Sequence, residues 1–392
     1  MKFLVKFFKW FAIILASIIF LMYIFNVDYL LRAVRTIYFK GYTTAFLEDY
    51  KEFPNREIKK GVAQPWALAN DYNTVQATEK LQKTHKELQT IAYLIIKNDS
   101  IWHESYFDGF DENSKSNSFS MAKSIVTMAM GKAIMEGKMK SLDQKVTDFF
   151  PELKGEYAKE VTIGDLSSMA SGLSWDEKYY SPFSIVTRAY FDDNLKDIIL
   201  GIDIKEKPGQ SFKYLSGATQ LLAMCIEKAT GEHLSDYISM HFWKPMGAEN
   251  EALWQLDEAP DGIEKAYCCI ASNARDFARF GKLYLNQGKW NSQQILDSTF
   301  VKRCITPRFE KSPEYGYGWW MQSFLGKNLY YMRGHLGQFV IVIPEDELII
   351  VRLGHLKGVQ TPNDPHTKDL YIYVEEAYNM LAKIKNKKIK SH

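Results

Sequence analysis

A serine and a lysine spaced three residues apart are the residues of this chain best suited to chemistry. They are Ser120 and Lys123, in the stretch Asn117 to Gly131, "NSFSMAKSIVTMAMG". Asparagine and serine favour helix N-caps, so a helix is predicted to begin at Asn117 or Ser118. Positions three apart share a helix face. A lysine withdrawn from water shifts toward its neutral amine, and a neutral amine beside a hydroxyl is a general base beside a nucleophile.

A structural interpretation of the same pair is also open. Lys123 would then extend past apolar neighbours to the surface, and Ser120 would act as a second cap. Ser120 is the one serine of the chain that has a lysine three residues later. The helix is apolar nearly all round up to Met135, which favours a buried position, and Gly137 is predicted to end it.

The composition is that of an ordinary globular protein. The chain has 392 residues, of which 46% are hydrophobic and 24% are charged, enough for one large core or two subdomains. The net charge is +2, and the first forty residues are basic, so the rest of the chain is slightly negative. This distribution excludes the basic surface that a nucleic-acid partner requires.

An apolar stretch near the N-terminus predicts a membrane-spanning helix. Trp10 to Val27 contains 18 residues without a charge, enough to cross a bilayer as a helix. No small-residue cleavage site follows, which favours an anchor over a cleaved signal peptide. Three lysines within residues 2–9 favour a cytoplasmic N-terminus and an extracytoplasmic or periplasmic catalytic part, whereas the basic residues within 32–40 oppose this orientation.

Neither a metal nor another cofactor is predicted. The four cysteines, Cys225, Cys268, Cys269 and Cys304, lack metal-ligand spacing, and no histidine pair of the HExxH type occurs. Cys225 and Cys304 are predicted to be buried in helices. A disulfide is allowed, but the sequence does not assign its pairing.

The elements along the chain predict an α+β fold. Two β-hairpins are predicted near its two ends, in "TIAYLIIKNDSIWHESYFDG" and in "GQFVIVIPEDELIIVRLGH" with a turn at Pro344 to Glu347. Residues 140–300 are mostly helical, and "DLYIYVEEAYNMLAKIK" is a closing helix. We therefore expect an antiparallel sheet that joins the two ends of the chain, flanked by helices, with a helical lobe across a cleft.

Further polar residues could complete a site. Tyr214 and Ser216 lie in "PGQSFKYLSGATQLL", just before a helix, and His335 and Gly337 lie in "RGHLGQFVIVIP" at the start of a strand. A tyrosine between apolar residues is usually a core residue, and a lone histidine is usually structural. Gly337 would let a substrate approach the strand edge. No Gly-x-Ser-x-Gly elbow occurs, which argues against an α/β-hydrolase.

The order Ser-x-x-Lys, Tyr-x-Ser and His-x-Gly resembles the penicillin-recognising serine hydrolases. That family includes class C β-lactamases, DD-peptidases, esterases and 6-aminohexanoate-dimer hydrolases. The resemblance extends from Ile91 to Glu376 and includes "TIGDLSSMASGLSWDE", "ASNARDFARFGKLYLNQGKW" and "YGYGWW". It implies a β-lactamase/DD-peptidase-like fold over residues 91–385, after an anchor (1–40) and a connector (41–90) and before a basic tail (386–392).

The resemblance also implies catalytic roles. Ser120 would be the acylated nucleophile, Lys123 would take its proton, and Tyr214 would relay a proton to the leaving group. The backbone N–H groups of Ser120 and of a residue near Gln338 would form the oxyanion hole.

The implied substrate-binding residues depart from the β-lactamase pattern. His335 stands where β-lactamases have the lysine of Lys-Thr-Gly, and Ser216 stands where class C enzymes have an asparagine. Gly337 and Gln338 follow on the same strand. Tyr179, in "WDEKYYSP", matches a tyrosine that contacts substrate in 6-aminohexanoate-dimer hydrolases.

These expectations favour a membrane-anchored serine hydrolase that cleaves a small amide, peptide or ester through an acyl-enzyme. A cell-wall DD-peptidase or a β-lactamase is the first alternative. A catalytically silent envelope protein that binds peptidoglycan-like ligands is the second. The oligomeric state and the natural substrate stay open.

Overall fold

A computed structural model describes the backbone of residues 1–390 and the side chains of residues 1–383. The side chains of the predicted basic tail, residues 386–392, lie outside this described part. The helices are α1 Lys2–Ile24, α2 Tyr29–Thr36, α3 Glu79–Glu87, α4 Ala122–Met135, α5 Ile163–Ser167, α6 Ile185–Phe191, α7 Leu195–Leu200, α8 Ser216–Thr230, α9 Leu234–Ile238, α10 Ala274–Leu285, α11 Ser298–Cys304 and α12 Lys368–Lys390. The strands are β1 Asn55–Ile58, β2 Ala67–Leu68, β3 Thr90–Lys97, β4 Ser100–Tyr106, β5 Ser116–Asn117, β6 Ala252–Gln255, β7 Ile270–Ser272, β8 Lys289–Trp290, β9 Gln293–Gln294, β10 Trp320–Phe324, β11 Lys327–Gly334, β12 Gln338–Ile343 and β13 Leu348–Gly354.

The main sheet joins the two ends of the chain, as the sequence predicted. Its order is β10-β11-β12-β13-β3-β4-β2, and its neighbours are antiparallel except for β2 and β4. Asn98 and Asp99 both have positive φ (48° and 64°), which suits the tight turn between β3 and β4. A smaller sheet has the order β1-β6-β7-β5, and β8 pairs with β9.

Helices cover both faces of the main sheet. Alternate residues of β3 belong to different cores: Tyr93 and Ile95 pack with α12, whereas Leu94 and Ile96 pack with the larger helical side. A strand buried on both faces is continuously apolar, which explains the run "IAYLII" in β3. The α+β architecture predicted from the sequence is therefore confirmed.

The predicted Ser120 helix begins later than expected. Asn117 ends strand β5, residues Phe119–Met121 form a 3₁₀ turn, and α4 starts only at Ala122. Ser120 therefore lies in a tight strand-to-helix turn. Helix α4 itself is almost wholly buried, and the chain turns away at Gly137 (φ 72°), as predicted.

The N-terminal helix α1 is long and apolar enough to cross a membrane. It has 23 residues, and its side chains lie outside the packed core. The short amphipathic helix α2 follows and packs Tyr29 and Ala33 against the domain.

The cysteines divide into two groups. Cys225 in α8 and Cys304 in α11 are buried, as predicted. Cys268 and Cys269, whose pairing the sequence left open, form a disulfide between adjacent residues.

Parts of residues 41–90 pack against the domain. Strand β1 pairs with β6, and β2 pairs with β4. Asp49 is fully buried, and its carboxylate accepts hydrogen bonds from Asn117 Nδ2 (2.9 Å), Tyr190 Oη (2.6 Å) and Gln255 Nε2 (2.9 Å). This segment is thereby tied to the strand that leads into the Ser120 turn. The domain boundaries stay a prediction.

Asp49→Ala should lower the free energy of unfolding by about 3–5 kcal/mol, because the three side-chain donors and the Phe46 N–H, which donates to the same carboxylate at 3.3 Å, lose their acceptor. Urea denaturation of the full chain in detergent measures this. Asp143→Ala, at an exposed aspartate, is the control and should change stability by less than about 0.5 kcal/mol. A loss below about 1 kcal/mol in Asp49→Ala would show that the network is not stabilising.

Candidate active site

The site is built around Ser120 and Lys123, which the fold places in contact. Lys123 Nζ lies 2.9 Å from Ser120 Oγ and donates a hydrogen bond to the carbonyl oxygen of Tyr267 at 2.7 Å. Lys123 is only 2% exposed, because α4 is a core helix. The fold therefore contradicts the structural interpretation, in which Lys123 extends to the surface.

Burial changes the protonation of Lys123. Loss of hydration lowers its pKa to about 7, while the negative charge of Glu177 opposes this shift. A substantial share of Lys123 is therefore neutral near pH 7. The lone pair of that neutral amine can accept the hydroxyl proton of Ser120.

The turn that presents Ser120 is fixed from several sides. Phe119 has φ 45°, an uncommon value for a non-glycine residue, and its N–H donates to Asn117 Oδ1 at 2.8 Å. Ser118 N–H donates to the Ile270 carbonyl oxygen in β7 at 2.7 Å. On the other side lies Gly334 of β11, where a Cβ would come within 2.2 Å of the Ser118 carbonyl oxygen. Sequence analysis missed Gly334, because only the tertiary approach of β11 reveals the need for glycine.

Tyr214 lies close to both Lys123 and Ser120. The centre of its ring is 5.2 Å from Lys123 Nζ, and the ring packs against Trp320 at 5.6 Å between centroids. Burial raises the pKa of Tyr214, and its interaction with the Ser120 hydroxyl opposes the rise. Tyr214 therefore keeps its proton at neutral pH and can act as a donor.

Glu177 is a site residue that sequence analysis missed. Its carboxylate accepts hydrogen bonds from the Ser216 N–H, from Ser216 Oγ (3.1 Å) and from Tyr179 Oη. A carboxylate is favoured at the N-terminus of a helix such as α8. Glu177 itself, in "WDEKYYSP", was the available signal, but its partner Ser216 lies 39 residues further along the chain.

His335 occupies the tight link between β11 and β12. Its ring stacks on Tyr179 (5.7 Å between centroids) and meets Phe119 edge-on (5.6 Å). Burial, helped by the positive charge of Lys357, lowers the pKa of His335 to about 4, so the ring is neutral at pH 7. His335 Nε2 has no hydrogen-bond partner among the described residues.

Gly337 and Gln338 mainly shape this link. A Cβ at Gly337 (φ 81°) would lie 2.6 Å from Arg352 Nη1, so the position requires glycine for packing as well as for conformation. Gln338 Nε2 donates to the carbonyl oxygens of His335 (3.0 Å) and Gly354 (2.7 Å). The Gln338 side chain thus holds the link in place. An oxyanion donor near Gln338 stays a prediction.

The sequence profile of the family described as Beta-lactamase matches residues 75–370. The chain belongs to the beta-lactamase family. Members of this family include serine hydrolases, and the match covers most of the main sheet together with the helices that surround Ser120.

The similarity to the following relatives is distant. The 6-aminohexanoate-dimer hydrolase of Paenarthrobacter ureafaciens is 24% identical over 295 residues, covering 70% of this chain and 74% of the relative. Protein flp of Staphylococcus aureus strain MW2 is 22% identical over 344 residues, covering 78% of this chain and 67% of the relative. A provisionally named 6-aminohexanoate-dimer hydrolase from Bacillus anthracis has a similar structure, with a TM-score of 0.68 at 21% identity, over 86% of this chain and 92% of that one. At this identity the structural likeness shows the fold alone.

Within this beta-lactamase fold, Glu177→Gln should move the acid limb of the pH profile of kcat/KM to lower pH. The Glu177 charge raises the pKa of Lys123, so removing it lets Lys123 become neutral at a lower pH. Ester hydrolysis measured from pH 5 to 9 tests this, with the exposed Glu232→Gln as a control that should not shift. A shift to higher pH would contradict the assignment of Lys123 as the base.

Proposed function

We propose that this protein is a membrane-anchored serine hydrolase that cleaves an amide, peptide or ester bond through a Ser120 acyl-enzyme. The main support for this proposal is that Lys123 is fully buried, has a pKa lowered to about 7, and lies 2.9 Å from the Ser120 hydroxyl. Ser120 borders two cavities in which a substrate carbonyl can reach its hydroxyl.

The proposed reaction has two halves. Neutral Lys123 takes the proton of Ser120 Oγ, which forms a bond to the substrate carbonyl carbon. The bond to the leaving oxygen or nitrogen then breaks, and the proton reaches that atom through Tyr214. Water attacks the acyl-enzyme in the second half and regenerates Ser120. The backbone N–H group of Ser120, in the turn that leads into α4, would stabilise the oxyanion together with a second N–H near Gln338.

The proposed location follows from α1. An uncleaved helix of this length would tether the domain at a membrane surface, outside the cytoplasm. A cleaved signal sequence is the competing outcome, and the mature N-terminus distinguishes the two. The match to the family profile begins at residue 75, well beyond α1.

The substrate is expected to be an ester or a linear amide rather than a β-lactam. The lysine of Lys-Thr-Gly is replaced by His335, which is neutral at pH 7, so this position supplies no charged hydrogen bond to a β-lactam carboxylate. Glu177 beside Ser216 adds negative charge where class C enzymes carry a neutral asparagine.

The test compares kcat/KM for p-nitrophenyl butyrate with that for nitrocefin. We expect the ester to be favoured at least tenfold, about 1.4 kcal/mol in transition-state preference. A tenfold preference for nitrocefin would make the β-lactamase alternative correct. Stable labelling of Ser120 by fluorescent penicillin would instead favour the DD-peptidase, and hydrolysis of neither substrate would favour the silent binding protein.

A further inference from the structure

Two cavities of different character meet at Ser120. The larger one has a volume of about 500 Å³ and extends from Ser120 toward α2 and α6. The smaller one has a volume of about 100 Å³ and extends toward Arg333 and Lys357. Ser120, Tyr179 and His335 border both cavities, so a molecule bound at Ser120 can occupy both arms at once.

The larger cavity, here called the apolar arm, has mainly hydrocarbon walls. They include Leu30, Ala33 and Val34 of α2, Ile37 directly after α2, Val186 of α6 and Met22 of α1. Two hydroxyl groups in the wall already have partners: Tyr190 Oη donates to Asp49, and Thr187 Oγ1 donates to the Ser181 carbonyl oxygen at 2.8 Å. Tyr267 Oη has no partner among the described residues. Such a wall favours an alkyl chain over a peptide or a sugar.

The far end of the apolar arm reaches the proposed membrane helix. Met22 belongs to the last turn of α1, and Phe183 near the rim is 74% exposed. An alkyl chain located in the lipid could therefore enter this arm without crossing bulk water.

The smaller cavity, here called the cationic arm, is bordered by the positive charges of Arg333 and Lys357. Arg333 donates to the Pro365 carbonyl oxygen at 2.7 Å and lies over the Trp320 ring at 3.8 Å. Among the described residues neither Arg333 nor Lys357 forms an ion pair, although Asp369 attracts Lys357 from beyond salt-bridge distance. An anionic group could therefore bind both cations without first displacing a salt-bridge partner.

Tyr214 determines which end of the substrate lies in which arm. It borders the cationic arm and is absent from the wall of the apolar arm. Because Tyr214 is the proposed proton donor to the leaving group, the leaving group belongs in the cationic arm. The acyl group that stays on Ser120 then extends into the apolar arm.

We propose that the substrate is an amphipathic ester or amide, in which a medium- or long-chain acyl group is joined to a small leaving group that carries a carboxylate or a phosphate. This inference rests on the proposed function. Ser120 Oγ loses its proton to Lys123 and bonds to the acyl carbon, the ester or amide bond to the head group breaks, and Tyr214 relays that proton to the head group as it leaves. Water then releases the free fatty acid.

The role of the apolar arm is tested by comparing the hydrolysis of p-nitrophenyl butyrate and p-nitrophenyl decanoate by the full chain in detergent. Each added methylene can raise kcat/KM by up to about fourfold. We therefore expect kcat/KM for the decanoate ester to exceed that for the butyrate ester at least tenfold. Ala33→Phe fills the arm, and Val34→Asp places a charge in it at a partly exposed position that tolerates substitution. Both should reduce the decanoate-to-butyrate ratio to below about threefold, whereas the surface control Val62→Phe should keep the wild-type ratio.

The head group is tested with two matched pairs of probes. Decanoylglycine is compared with its neutral amide for the carboxylate, and decanoyl glycerol phosphate is compared with monodecanoylglycerol for the phosphate. The anionic member of at least one pair should be preferred, and Arg333→Gln should reduce that preference at least about tenfold. The pair with the larger preference identifies the anion.

The outcomes separate this inference from the proposed function. If butyrate is hydrolysed as fast as decanoate or faster while Ser120 is still acylated, the inference that the apolar arm binds an acyl chain is overturned and the proposed function stands. Preference for the neutral head in both pairs overturns the anionic leaving group. Failure to hydrolyse either ester, with Ser120 unlabelled, overturns the proposed function as well.

Discussion

Ser120→Ala is expected to reduce kcat for p-nitrophenyl butyrate by about 10⁴-fold or more. The hydroxyl is the only group in the proposed reaction that forms a bond to the substrate, so no neighbouring side chain replaces it. The fold should survive, since alanine fits the turn and the substitution removes one hydrogen bond, the one that Ser120 Oγ accepts from Lys123. Steady-state kinetics on the full chain measure the loss.

Ser174→Ala is the matched control, because Ser174 is exposed and lies outside both cavities. It should retain wild-type rates. Residual activity above about one per cent in Ser120→Ala, with an intact circular dichroism spectrum, would show that another group is the nucleophile.

Lys123→Arg has the second largest expected effect, a loss of about 10²–10⁴-fold in kcat/KM. Arginine keeps the positive charge but does not deprotonate near neutral pH, so it cannot take the Ser120 proton. It is also too large for a site where Lys123 is 2% exposed. If a positive charge alone were needed, arginine would retain more activity than alanine.

The comparison therefore includes Lys123→Ala and a control in the same helix. Lys132→Arg changes a lysine that forms a salt bridge with Glu136 at 3.3 Å, and it should leave kcat/KM unchanged. We expect Lys123→Arg and Lys123→Ala to be equally inactive. An arginine variant with at least a tenth of the wild-type turnover would mean that Lys123 positions the substrate by charge.

Much of the fold was predictable because its strongest signals are local. Each main hairpin is a run of apolar and β-branched residues around a turn, and the closing helix has its own apolar face. The pairing of β13 with β3 followed only from the expectation that two hairpins share one sheet. The Ser-x-x-Lys spacing identified Ser120 and Lys123 because both belong to one short segment.

The remaining parts of the site depend on contacts between distant segments. Glu177 meets Ser216 only after α8 has packed, and Gly334 is required only because β11 approaches the Ser120 turn. The 3₁₀ turn before α4 depends on Ser118 bonding to β7, which no N-cap pattern reveals. The lowered pKa values of Lys123 and His335 likewise arise from burial, which a linear sequence does not quantify.

The most direct test of the central claim is to locate the covalent adduct left by a fluorophosphonate probe. The full chain is treated with the probe in detergent, digested and analysed by mass spectrometry. We predict a single adduct on Ser120, formed faster as the pH rises through about 7 because Lys123 becomes neutral, and absent from Ser120→Ala. An adduct on Ser171 or Ser216, or equal labelling of the wild type and Ser120→Ala, would contradict the assignment of Ser120 as the nucleophile.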